Sequence, residues 1–201
     1  AAGAGMAGAT ALAPSEVQAS ESNPLLTIQA FRDIRRHENA HVATLVKALG
    51  SNARPKPTFK GLQQPNLLKF IRVSRALENT ETGAYLGALP VISSAAILAT
   101  AGSIALIEAR HASFLNTLLD RHITKNVLGQ ERSFEDPLTQ DQVLRQAGGF
   151  IADLNGGPPV GYDPVNPSAT NDIAILNFAL ALEYLASDFY NINVARFFFG
   201  L

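Results

Sequence analysis

Two short arrays in this sequence have the residue types and spacing for metal chemistry. Glu38-Asn39-Ala40-His41 and Glu108-Ala109-Arg110-His111 each place a carboxylate three residues before an imidazole. On an α-helix that spacing sets both side chains on one face, one turn apart. A carboxylate and an imidazole so placed can hold one divalent metal, and the carboxylate can bridge to a second. A single such pair is common on solvated helix faces. Two of them in a chain with only four histidines are a far more specific signal.

Two further carboxylates belong with these pairs. Glu183 sits inside the apolar run 179–186 (ALALEYLA), and Glu78 follows Ala76-Leu77 in a similar setting. A charged side chain is almost never buried without a partner, because desolvation costs too much. A metal supplies that partner. Glu81, one turn beyond Glu78, is the fallback ligand. Tyr190 and Tyr85 each follow a candidate ligand, Glu183 and Glu78, by seven residues. Two turns keep each ring near its Glu's face, where it could hydrogen-bond to a ligand. His37 and His122 have no Glu three residues before them and read as surface or interhelix residues. The expected centre therefore draws on Glu183, Glu38, His41, Glu78, Glu108 and His111 as metal ligands. Tyr190 and Tyr85 stand behind them. These residues should converge on two divalent ions, iron or manganese, roughly 3–4 Å apart.

Four long helices must carry these residues. The first spans about 24–49, with Pro24 suited to its first turn and Gly50 as its stop. The second spans about 65–89 and is broken by Pro90. The third spans about 91–121 and the last about 172–198. A short extra helix is expected over 139–151, with Thr139 and Gln142 as a capping box. Residues 1–23, 51–63, 130–138 and the Gly/Pro-rich 154–170 read as loops. No long period-two alternation marks a sheet. The expectation is all-α: one domain over 1–201, a four-helix bundle with long loops. Within it, each half contributes one helix with Glu and Tyr and one with the Glu/His pair.

The bulk numbers fit a packed domain. The chain has 201 residues, 47% hydrophobic and 16% charged, with a formal net charge of -1. That balance is globular and offers no strong field for nucleic acid or an anionic membrane. The absence of cysteine excludes disulfides and thiolate metal sites. Residues 82–107 carry no charge and are long enough to span a bilayer. Pro90 and several Gly and Ser interrupt them, so they read as a buried helix pair and not as a span. The chain opens Ala1-Ala2-Gly3 without an initiator Met, which suggests processing and tilts the expectation toward a secreted or extracytoplasmic location. A homo-oligomer remains open.

Several segments together resemble a known family, the ferritin-like domain of desiccation-related proteins in plants, with bacterial and fungal relatives. They are DIAILNFALALEYLASDFY (172–190), RRHENAHVATLVKALG (35–50), ALENTETGAYLGAL (76–89), SIALIEARHASFLNTLL (103–119) and FEDPLTQDQVL (134–144). The resemblance implies a ferritin-like bundle and the same six ligands. It also implies a rotated order, since the LNFALALEYL helix comes first in the family and last here. A true circular permutation, a fragment of tandem copies, or a chain assembled or numbered in an unusual order would each give this. In a single bundle the end of 172–198 lies at the same end as the start of the 1–23 loop, with Leu201 near Ala1; termini at opposite ends would instead mean a swapped dimer.

Two classes of function follow. One is a two-metal protein with redox chemistry, tied by analogy to oxidative or desiccation stress. The other is a non-catalytic stress or structural bundle with a structural or vestigial metal. Iron storage ranks below both. Whether the chain is an enzyme is left open by the residues alone.

Overall fold

The computed structural model describes residues 24–199. The expected loop over 1–23 and the Ala1–Leu201 separation lie outside them. Five helices are described: α1 Pro24–Leu49, α2 Leu67–Ala88, α3 Ala95–Thr117, α4 Gln140–Ala147 and α5 Ala169–Phe198. The four long ones form an all-α bundle, with α5 packed along α1 and α3 along α2.

Local chemistry sets the helix ends. Gly50 takes a positive φ of 54° and ends α1. Asn66 accepts from Lys69 N at 2.9 Å and starts α2. Pro90 sits inside a 3-10 turn, Leu89–Val91, and α3 begins only at Ala95, where Ser94 is the N-cap. The expected start at 91 is therefore four residues early. The end near 121 is late, because α3 stops at Thr117. Thr139 and Gln142 do form the capping box. The helix behind it stops at Ala147, and the chain then enters a short strand, β2 (Ile151–Asp153). That strand pairs antiparallel with β1 (Thr58–Phe59), a small sheet absent from the expectation.

The core has two apolar ends with a polar layer between them. One end gathers Phe31, Phe70, Leu115, Phe189 and Phe198, with Phe31 5.0 Å from Phe70 and 5.2 Å from Phe198 between ring centroids. The other gathers Leu45, Leu49, Tyr85, Ile104, Leu176 and Leu180. Along every long helix, the Glu of interest falls where one cluster gives way to the other. The same assignments give the directions: α1 and α2 run one way, α3 and α5 the other. The α1–α2 connection must then cross the length of the bundle. Two fully buried asparagines of α5 hold it. Asn177 Oδ1 accepts from Arg54 N at 2.8 Å, and Asn193 Oδ1 accepts from Gln64 N at 2.9 Å.

Two glycines of α2 admit the chain that follows α3. Gly83 O accepts from Leu138 N at 2.9 Å, and a Cβ at Gly87 would overlap the Leu138 carbonyl. The charge-free stretch 82–107 is thus divided between α2, a turn and α3. Among the described residues, the helix long and apolar enough to cross a membrane is α5, and 78% of its most apolar window is buried inside the bundle.

Candidate metal centre

Each long helix delivers one carboxylate to the middle of the bundle. Glu38 (α1), Glu78 (α2), Glu108 (α3) and Glu183 (α5) have no solvent exposure, while His41 and His111 keep 8% and 6%. All six residues singled out from the sequence meet there. They form two groups, Glu38–Glu78–Glu108–His111 and Glu38–His41–Glu108–Glu183. In each group one ligand atom per residue lies within 4.8 Å of the others. Glu38 and Glu108 belong to both. The one-turn spacing within α1 and α3 therefore lets each Glu face both groups while its His faces one.

Both imidazoles turn Nδ1 toward the carboxylates. His111 Nδ1 is 3.0 Å from Glu78 Oε2, 3.1 Å from Glu108 Oε2 and 3.3 Å from Glu38 Oε1. His41 Nδ1 is 2.8 Å from Glu108 Oε1, 3.3 Å from Glu183 Oε2 and 3.8 Å from Glu38 Oε2. The His41 contacts are short but poorly angled, and Nδ1 makes no aligned hydrogen bond. Both oxygens of Glu38, Oε1 of Glu78 and Glu108, and Oε2 of Glu183 are likewise buried without one. So many unpaired acceptors in a buried layer are costly. They face one another, and cations among them would satisfy them together. The residues therefore fit divalent metal ions.

The protonation pattern shows how tightly these groups interact. Burial pushes the Glu38 carboxyl up, but His111 and His41 outweigh it and bring its pKa down to about 2. Burial, opposed by His41, raises Glu183 to about 7. Burial and the charge of Glu38 raise Glu108 well above the carboxylate range. Burial disfavours a charge on His111, yet Glu78, Glu108 and Glu38 raise it to about 12. The same balance raises His41, through Glu108, Glu183 and Glu38.

Each tyrosine reaches toward a candidate ligand, on the opposite helix and not on its own. The Tyr85 hydroxyl donates to Glu183 Oε1 at 2.6 Å, across the bundle from α2 to α5. The Tyr190 hydroxyl lies beside Glu78 and Ser74 without an aligned hydrogen bond. Seven residues is about 10 Å along a helix. That is too far for a tyrosine to turn back to its own Glu, and an antiparallel neighbour brings the other Glu level with it.

Glu81 is buried beside the centre but joins neither ligand group, and its Oε2 has no hydrogen-bond partner. Burial and four neighbouring carboxylates, Glu183 first, raise it well above the carboxylate range. A neutral Glu81 adds no charge to the layer. His122 is exposed, as expected. His37 is an interhelix residue, one of the two readings its position allowed. Its Nδ1 is 3.0 Å from His111 Nε2. Nothing in the spacing along α1 marks it, because the contact depends on how α1 and α3 are aligned.

The chain was compared with known proteins. No curated protein and no solved structure matches it. Residues 5–121 match the family model of the ferritin-like domain. That match covers more than half of the chain and takes in α1, α2 and α3, with both Glu/His pairs. On this match, and with the bundle and its buried carboxylate layer in accord, the chain belongs to the ferritin-like domain family.

Proposed function

We propose that this chain holds two divalent metal ions, iron or manganese, and performs redox chemistry linked to oxidative or desiccation stress. The observation that carries this reading is the pair of four-residue groups sharing Glu38 and Glu108. In it Glu78 and His111 serve one ion, Glu183 and His41 the other, and Glu38 and Glu108 serve both. The charge balance favours two ions over one. Four ionised carboxylates carry four negative charges, and two divalent cations cancel them with both imidazoles neutral. One cation would leave a net negative charge among fully buried side chains.

Bound there, two such metals supply electron transfer toward dioxygen or its reduced forms. The chain's own residues do the rest. Glu78 and Glu183 would each serve a single ion. Tyr85 fixes the Glu183 carboxylate through its hydroxyl. The apolar ends of the core limit water. Consumption of hydrogen peroxide or dioxygen by metal-loaded protein tests the redox part. Turnover that disappears in Glu183→Gln supports it, whereas full loading without turnover would leave a structural metal as the better reading.

We also read the chain order as rotated relative to its relatives, with α5 in the position of the first family helix. Three observations support this. The family match ends at residue 121, well before α5. Helix α5 packs along α1. Arg32 Nη2 donates to Phe198 O at 3.1 Å, so the end of α5 lies beside the first turns of α1.

A further inference from the structure

We propose that His37 is a positioning residue for one of the two metal positions and makes the two halves of the centre unequal; this rests on the two-metal reading above. His111 Nδ1 faces Glu78, Glu108 and Glu38, so it is the nitrogen available to an ion. A neutral imidazole that coordinates through Nδ1 must carry its proton on Nε2. That Nε2 lies 3.0 Å from His37 Nδ1. The two rings are inclined by only 6°, and their centroids are 5.3 Å apart. The centroid separation exceeds the N···N distance by about two ring radii. The rings therefore lie edge to edge in nearly one plane, as an in-plane N–H···N bond requires. With His111 donating, His37 accepts at Nδ1 and keeps its own proton on Nε2.

The other half lacks this device. His41 turns Nδ1 to Glu108, Glu183 and Glu38 in the same way. Among the described residues, no hydrogen bond is made to its Nε2. Each group has one private Glu, one private His and the shared Glu38 and Glu108, and the support of the His41 group lies instead on its Glu, through the Tyr85–Glu183 hydrogen bond. His37 thus fixes the tautomer and ring plane of His111 alone. A ligand held in its binding tautomer loses less freedom when the ion arrives, and such outer partners typically contribute about 10–100-fold in metal affinity. The Glu38–Glu78–Glu108–His111 position should therefore bind its ion more weakly when His37 is lost.

The test isolates each position in turn. Glu183→Gln leaves the His111 position as the stronger one, and Glu78→Gln leaves the His41 position. Metal-free protein in each background is titrated with manganese(II) by calorimetry, with and without a change at His37. His37→Phe keeps the ring shape and removes the acceptor. His37→Asn restores an acceptor oxygen near the place of Nδ1. The expected result is an affinity loss of about 10–100-fold for His37→Phe in the Glu183→Gln background only, with His37→Asn close to the parent. An unchanged affinity there, an equal loss in both backgrounds, or an equal loss with His37→Asn would overturn the proposal. If the unsubstituted chain binds neither manganese(II) nor iron(II), the two-metal reading falls and takes this proposal with it. Binding of two ions with His37→Phe unaffected removes only the role of His37.

Discussion

A buried carboxylate is costly, and the middle of this bundle holds five of them: Glu38, Glu78, Glu81, Glu108 and Glu183. Without metal, protons and the two histidines must carry that cost. His111 is raised to about 12 and His41 is raised too, so both are charged at neutral pH in the metal-free protein. Glu108 is raised well above the carboxylate range and Glu183 to about 7, so part of the carboxylate set is protonated there. Metal binding needs neutral imidazoles and ionised carboxylates. Loading at pH 7 should therefore release protons. Calorimetric titrations in two buffers of different ionisation enthalpy measure the release directly, and identical heats in both would contradict it. Much of this layer was legible in the sequence. Each Glu/His pair lies within one helix, where the backbone period alone sets its geometry. Glu183 and Glu78 stood out because their neighbours are apolar. The crossed tyrosine contacts and the His37–His111 bond were not legible, since they depend on how separate helices are aligned.

At the scale of elements, small residues that look alike in sequence do different work. Gly87 and Gly102 both dilute the same charge-free stretch. A Cβ at Gly87 would collide with the Leu138 backbone, whereas nothing lies within 4 Å of a Cβ at Gly102. Gly102→Ala should stabilise the fold by about 0.5–1 kcal/mol, the ordinary cost of glycine inside a helix. Gly87→Ala should destabilise it, by about 1–3 kcal/mol as overpacking does. Denaturant melts of the two variants should move in opposite directions, and a shift in the same direction would count against the packing described here. Sequence periodicity located all five helices, because each is long or well capped. It missed β1 and β2, since strands of two and three residues are too short to show alternation. It also placed the start of α3 too early, because Val91 and Ile92 continue the apolar pattern while Ser94 sets the cap.

For the whole molecule, the order of the helices matters less than their neighbours. Helices α1 and α5 pack together although they are far apart in sequence, and the contact between Arg32 and Phe198 sets their ends side by side. A reordered chain that begins at residue 169, runs to 201 and continues from 1 to 168 should thus fold to the same bundle, because nearby ends make such rearrangement tolerable. Matching melting temperature and metal content in the reordered protein would agree with the rotated order. Failure of that chain to fold would speak against it. The central claim is that Glu38 and Glu108 are shared by two ions, and metal content tests it most directly. Purified protein reconstituted with iron(II) or manganese(II) and analysed for bound metal should hold two ions per chain. Glu38→Ala and Glu108→Ala should each lose both, and their melting temperatures should fall toward that of the chelated protein. A chain that binds no metal, or one that keeps two ions after either substitution, would contradict the account.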